Sequence, residues 1–178
     1  PPSGKTAGEL IDLAGLKDLD CSYNDLSMLV LSNCTELEHL DCSRNQLSTL
    51  DLSTCTNLDY FICHKNQLSA LDLSHNQQLS ELYADQNQIS SLQFADGADL
   101  WTICCQYNQL TSLDVSNVNV TNLLCSNNPL SSLDVSQNTY LMTLSCSRTQ
   151  LTSIDVSNNK HLVDFGCGDL QLTSLDIS

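Results

Sequence analysis

A cysteine recurs at the sixth position of a 21-residue period that begins at Leu16. Each segment reads L-x-x-L-x-C-x-x-N-x-L-x-x-L-D-L-S with small variations, and Ala84 takes the cysteine position in the fourth segment. A period of this length predicts a stacked array, in which each unit buries its apolar face against the next. Seven of the ten cysteines share this position: Cys21, Cys42, Cys63, Cys105, Cys125, Cys146 and Cys167.

The repeat divides the chain into two parts. Residues 16–178 form eight repeats of 20 or 21 residues, of which the fifth has 20 and the last is truncated. We predict that they build one continuous solenoid, and that residues 1–15 form an N-terminal cap. Leu10, Ile11 and Leu13 would cover the first coil. We expect further chain or a partner to cover the other end.

Two alternating patterns occur inside each repeat. The L-x-C pattern, as in residues 40–42, and the L-D-L pattern, as in residues 50–52, both place successive side chains on opposite faces. The first predicts a strand of a parallel sheet, and the second predicts a shorter extended segment on the opposite wall. Since one repeat is too short for a strand, two turns and a full helix, we expect little helix.

These columns resemble a known class of repeat. Segments such as residues 37–47 and Leu113-Asp114-Val115-Ser116-Asn117 are similar to the bacterial 21-residue leucine-rich repeats with a cysteine ladder, the internalin-J-like surface proteins. The resemblance implies a leucine-rich repeat solenoid shaped like a horseshoe. It places the parallel β-sheet on the concave face and short extended or irregular segments on the convex side. It also implies a secreted or bacterial cell-surface protein used for adhesion or partner interaction.

Two polar columns call for a structural explanation. Inward asparagines at the ninth position would hydrogen-bond backbone groups at the turn after each strand. They are Asn24, Asn45, Asn66, Asn87, Asn108 and Asn128. Aspartates at the fifteenth position would accept hydrogen bonds from turn amides or the following serine, with calcium binding as the less favoured alternative. They are Asp51, Asp72, Asp114, Asp134, Asp155 and Asp176.

The pattern of the cysteines indicates that most of them pack in the core and do not act as reactive or metal-binding thiols. Inward thiols beside leucine columns behave as small apolar groups, and we predict a reduced ladder. Cys34 and Cys55 occupy a separate column of adjacent coils, where a disulfide at a surface loop is an alternative. Cys104 alternates outward, so an exposed reactive thiol is conceivable there. No C-x-x-C spacing occurs, and we predict neither a metal site nor a cofactor.

Charge, hydropathy and the absence of catalytic motifs argue against several classes of function. A net charge of −15 with six basic residues argues against nucleic acid as a partner and is compatible with a cationic one. No apolar stretch is long enough to insert into a membrane. The four histidines occupy four different columns, and Gly4-Lys5-Thr6 lacks the rest of a phosphate loop, so we predict that the protein is not an enzyme.

The outward positions of the central repeats are unusually apolar. Aromatic residues on a polar sheet favour a binding surface, although the rings could instead only pack on one another across strands. We hypothesise a non-catalytic module that binds a protein or glycan partner through the central concave face. The rivals are a structural spacer and an accessory subunit of an outer-membrane assembly. The candidate ligand-binding residues are Tyr60, Ile62, His64, Tyr83, Trp101, Cys104, Gln106, Tyr107 and Leu124.

Overall fold

The computed structural model describes residues 14–175 and residue 177, so the predicted cap residues Leu10, Ile11 and Leu13, and also Asp176, lie outside it. Ten short strands and no helix occur in the described residues. In chain order they are β1 (Asp18–Asp20), β2 (His39–Asp41), β3 (Tyr60–Ile62), β4 (Ala70–Leu73), β5 (Glu81–Tyr83), β6 (Ser91–Phe94), β7 (Thr102–Cys104), β8 (Asn122–Leu124), β9 (Thr143–Ser145) and β10 (Asp164–Gly166).

Eight of these strands form one parallel sheet, in the order β1-β2-β3-β5-β7-β8-β9-β10. Each strand pairs in register with the strand one coil later, so that Leu40 lies beside Phe61 and Phe61 beside Leu82. The register brings every repeat position into a straight row across the coils. This arrangement confirms the predicted solenoid with a parallel sheet and little helix.

The second alternating pattern forms the opposite wall. There β4 and β6 make a separate two-stranded parallel sheet, in which Leu71 pairs with Leu92 and Leu73 with Phe94. The other coils cross this wall without forming strands among the described residues. The predicted shorter extended segment is therefore present, with regular strand pairing only in the third and fourth coils.

The core lies between the two walls and consists of stacked apolar rows. Leu37, Leu58 and Leu79 are fully buried in the first row, and Leu47 and Leu68 in another. The ladder cysteines from Cys42 to Cys146 are fully buried beside them, and so is Ala84. The repeated columns thus share one dry interior that runs through the coils.

The asparagine column joins each coil to the one before it. Asn66 Nδ2 donates to Cys63 O in its own coil at 3.1 Å and to Cys42 O in the preceding coil at 3.0 Å. Its Oδ1 accepts a hydrogen bond from Leu47 N at 2.9 Å. One side chain therefore hydrogen-bonds three backbone groups of the core, as the sequence predicts. Cys42 O and Cys63 O also accept a hydrogen bond from the asparagine of a neighbouring coil.

A second inner column stands where the chain turns back toward the sheet. Cys34 and Cys55 belong to it, and both are buried with free thiols, which contradicts the alternative of a disulfide at a surface loop. Backbone bonds from Cys34 N to Leu31 O at 2.9 Å and from Cys55 N to Leu52 O at 3.0 Å tighten these turns. The tight turn directs the side chain into the core.

Asparagines continue this second column in other coils. Asn76 Nδ2 donates to Leu52 O at 3.2 Å and to Cys55 O at 2.7 Å, again linking two coils. Asn138 and Asn159 occupy matching positions and make matching bonds. The column contains both cysteines and asparagines, and for that reason sequence analysis did not recognise it as a single inward row.

The aspartate column on the opposite wall closes turns. Asp51 Oδ1 accepts a hydrogen bond from Ser53 N at 2.9 Å, and Asp72 and Asp114 do the same with the serine two residues later. Hydrogen bonds from that serine lower the pKa of each of these exposed carboxyls below the usual value of 3.8. The turn-closing role predicted from the sequence is therefore confirmed for these residues.

We expect Asn66→Ala to be strongly destabilising. The substitution leaves Leu47 N buried without a partner and removes one of the two asparagine hydrogen bonds to each of Cys42 O and Cys63 O, at a cost of roughly 1–3 kcal/mol in the free energy of unfolding. Urea denaturation followed by circular dichroism measures this loss. Gln67→Ala, at the exposed neighbouring position, should change the free energy by less than about 0.5 kcal/mol. Equal losses for the two variants would contradict the role of Asn66.

Acid should weaken the fold partly through the aspartate column. A carboxyl whose pKa is lowered on folding contributes its stability above the unfolded pKa, and that contribution is lost as the pH falls through the folded pKa. We therefore expect Asp72→Asn/Asp114→Asn to lose less stability than the wild type as pH drops below 3.8. Urea midpoints at neutral and acidic pH measure this. Glu36→Gln, at an exposed site outside the column, is the control and should follow the wild type.

Candidate functional site

Four side chains form an apolar row across the middle of the sheet face, which we call the central strip. They are Ile62, Tyr83, Cys104 and Leu124, each paired in register with the next. The same row continues with polar or small residues at both ends: Asp20, Asp41, Ser145 and Gly166. Period-2 alternation turns these positions away from the core, so the apolar character is not required by the interior.

Aromatic rings pack beside the central strip. The Tyr60 ring lies 5.6 Å from that of Tyr83, and the His39 ring meets Tyr60 edge-on at 6.4 Å. Tyr83 Oη donates a hydrogen bond to Glu81 Oε2 at 2.6 Å, which raises the pKa of the tyrosine. The rings therefore do pack on one another across strands, and they also remain partly exposed. This packing holds the surface in one conformation.

The turn after each strand carries three more of the candidate residues. His64 and Gln106 are half-buried, and Tyr107 is 52 % exposed. Tyr107 has a φ of 54°, in the left-handed region, and its N–H donates to Ser126 O at 3.1 Å. The matching residue in each of the other seven coils also has a positive φ. These left-handed residues change the direction of the chain just after each strand ends. Tyr107 therefore lies beyond the strands and apart from the central strip.

Trp101 lies at the opposite edge of the sheet, directly before β7, and is 58 % exposed. It lines an open groove of about 700 Å³ together with Tyr60, His39 and the carboxylates of Asp59 and Glu81. Asp99 lies in the same groove. We call this the leading-edge groove, because the chain enters the strands there.

The nine candidate residues thus separate into three places. The central strip and Tyr60 share the sheet face, Trp101 lies in the leading-edge groove, and His64, Gln106 and Tyr107 lie beyond the strands. Sequence analysis missed the carboxylates that line the groove. A signal was present, because Asp59 and Trp101 occupy the same repeat position, but the prediction considered apolar and aromatic character and not the acidic residues beside it.

Cys104 does not provide an exposed thiol. Its side chain faces away from the core but is only 8 % exposed, since Tyr83 and Leu124 flank it on the neighbouring strands. Burial raises the pKa of the thiol to about 11, with a further contribution from the carboxylates of Asp85 and Glu81. The alternative of a reactive surface cysteine is therefore wrong, and Cys104 acts as an apolar member of the central strip.

The fully buried ladder cysteines, from Cys42 to Cys146, are equally unsuited to chemistry. All ten cysteines carry free thiols, and burial raises the pKa of Cys105 to about 12 and that of Cys146 to about 11. A neutral thiol is a poor nucleophile and a poor metal ligand. Among the described residues, no group of three His, Cys, Asp or Glu side chains could hold a metal ion. No helix there is long and apolar enough to cross a bilayer.

Comparison with solved structures identifies the class of fold. A leucine-rich-repeat protein of Leptospira interrogans is similar, with a TM-score of 0.80 and 24 % identity over 92 % of this chain. An internalin (inlF) from Listeria monocytogenes has a TM-score of 0.68 and 19 % identity over 93 % of this chain. The chain therefore has a leucine-rich-repeat fold, and the resemblance found in its sequence is confirmed for the fold.

A cysteine ladder occurs in one of these similar structures. The functional domain of InlJ from Listeria monocytogenes includes such a ladder and is 29 % identical over 94 % of this chain, with a TM-score of 0.48. The chain spans 48 % of the InlJ structure, 46 % of the Leptospira protein and 63 % of the internalin inlF structure. No family model and no curated protein matches the sequence.

We expect thiol labelling to follow burial. Alkylation of the native protein at mildly alkaline pH should modify Cys21 and Cys167 first, because these two are only partly buried. Burial raises the pKa of both thiols, and Cys104 should react at least about ten-fold more slowly than Cys21 because its thiol is the more deeply buried. Peptide mass spectrometry after timed quenching measures each rate, and the denatured protein is the control. Equal native rates for Cys104 and Cys21 would contradict the assignment.

Proposed function

We propose that this protein is a non-catalytic binding module that engages a protein partner through the sheet face, centred on the central strip. The observation that carries the proposal is the confinement of apolar outward residues to the four middle strands. In the flanking strands the same row holds Asp41 and Ser145. An apolar centre with a polar rim is the usual anatomy of a protein interface.

Rigidity of the surface supports the same proposal. Tyr60 and Tyr83 pack on each other, and the hydrogen bond to Glu81 fixes the Tyr83 ring. A surface that is already ordered loses little side-chain entropy when a partner covers it. Parallel strands held in register by the stacked coils also keep the central strip in a fixed arrangement.

A secreted or cell-surface location belongs to the proposal. Its support is the resemblance of the repeat to internalin-J-like surface proteins and the similarity of the fold to that of an internalin. Adhesion or host interaction is the corresponding role. A catalytic role has little support in the described residues, where His39 pairs with Asp18 and His161 stacks on Tyr140.

A displayed library of extracellular protein domains tests the proposal. Clones that bind the wild type are titrated against Ile62→Ser/Leu124→Ser, which removes two apolar members of the central strip. We expect at least about a ten-fold loss of affinity, because such loss is typical of central interface residues. Met28→Ser/Val30→Ser is the matched control, since both side chains are exposed and belong to the turn and opposite wall of the first coil.

The outcomes separate the alternatives. Thermal melts of both variants establish that the fold is intact before affinities are compared. If the clones bind the Ile62→Ser/Leu124→Ser variant as tightly as the wild type, or if no clone binds, the spacer role is favoured instead. If the protein binds only glycans on an array, and the Ile62→Ser/Leu124→Ser variant weakens that binding, the partner is a glycan and not a protein.

A further inference from the structure

The leading-edge groove combines two aromatic faces with carboxylates. Tyr60 and Trp101 line it from coils two repeats apart, and Asp59, Glu81 and Asp99 line it with them. The exposed indole of Trp101 offers a π surface beside these negative groups. Aromatic faces and carboxylates together are the groups that attract an ammonium or guanidinium ion.

The carboxylates are already oriented by the protein. Asp59 Oδ1 accepts a hydrogen bond from Ser80 Oγ at 2.5 Å, and Asp99 Oδ1 accepts one from Asn119 Nδ2 at 2.7 Å. Glu81 Oε2 is held by Tyr83 Oη in the same way. These bonds engage one oxygen of each carboxylate, so the second oxygen stays available to an incoming donor.

Little positive charge opposes these groups. Among the described residues, the only basic side chain that lines the groove is His39, and its Nδ1 lies 2.5 Å from Asp18 Oδ1. Lys17, farther along the same edge, is paired with Glu38. The whole chain carries a net charge of −15, which adds an attractive long-range field for a cation.

From this arrangement we infer that the leading-edge groove receives a basic side chain, arginine or lysine, of the protein partner. The inference rests on the proposed function and specifies its partner as one that presents a positively charged segment. The cation would lie against the faces of Trp101 and Tyr60 and donate hydrogen bonds to Asp59 and Asp99. A neutral glycan could use the aromatic faces and donate hydroxyl hydrogen bonds to the carboxylates, but it would leave their three negative charges uncompensated.

The single tryptophan of the chain makes the test specific for this groove. Trp101 fluorescence is recorded while an oligoarginine peptide is added at near-physiological salt, where distant charges are screened. The comparison ligands are the matching oligocitrulline peptide, which is neutral, and a neutral cello-oligosaccharide. We expect saturable quenching by oligoarginine and none by oligocitrulline.

Two charge-removing variants locate the binding. Asp59→Asn/Asp99→Asn keeps the acceptor oxygens that hold Ser80 and Asn119, and it should weaken oligoarginine binding about ten-fold. Asp134→Asn removes one charge from the opposite wall while keeping its turn acceptor, and it should change the affinity by less than about two-fold.

Three results would overturn the inference: equal weakening by both variants, quenching by oligocitrulline as strong as by oligoarginine, or quenching by the oligosaccharide alone. The test is independent of the library experiment, which probes Ile62 and Leu124. Displayed domains that need the central strip, together with no response of Trp101 to oligoarginine, would reject the basic segment and leave the binding module in place.

Discussion

The fold depends on the hydrogen bonding of each coil to the coil before it. A repeat of this length cannot bury its own apolar face, and its inward turn leaves backbone carbonyls in a dry core. Asn45 shows how these groups are satisfied, because its amide donates to Cys42 O in its own coil and to Cys21 O in the previous one. The bond forms only when the coils are in register. The same register aligns the buried leucines. Hydrogen bonding of the buried backbone groups and stacking of the apolar side chains therefore require the same geometry.

This arrangement separates the constrained positions from the free ones. Inward residues are apolar or, at the turns, polar groups with a hydrogen-bond partner, whereas outward residues of the strands meet no such demand. Against that background, Ile62 and Leu124 in a row that otherwise holds Asp41 and Ser145 are informative. The stack does not need them for its stability in the way it needs Leu58 or Cys63. Their presence therefore supports a role at the surface, and the leading-edge groove adds a charged feature beside them.

Much of the fold could be predicted from the repeat alone. The parallel sheet, the extended opposite wall, the bridging role of Asn66 and the turn-closing role of Asp51 all follow from a period-2 pattern inside a fixed period. The prediction was wrong where a column mixed residue types or where neighbours covered a side chain. For Cys55 the sequence left open a disulfide at a surface loop, although its tight turn returns it to the core. Cys104 was taken as exposed although adjacent strands bury it.

The sequence by itself determined the solenoid and its inward columns, because these depend only on the spacing of residues along the chain. Tertiary structure decided which outward residues share a surface, because strands separated by a whole coil become neighbours only when the coils stack. The period already put Ile62 and Leu124 on one sheet face, whereas only the structure brought Trp101 into one groove with Asp59 and Tyr60. It also placed Tyr107 at the other edge of the sheet, through a left-handed turn that the sequence does not signal. Surface neighbourhoods also depend on turns and on covering side chains, and spacing along the chain specifies neither.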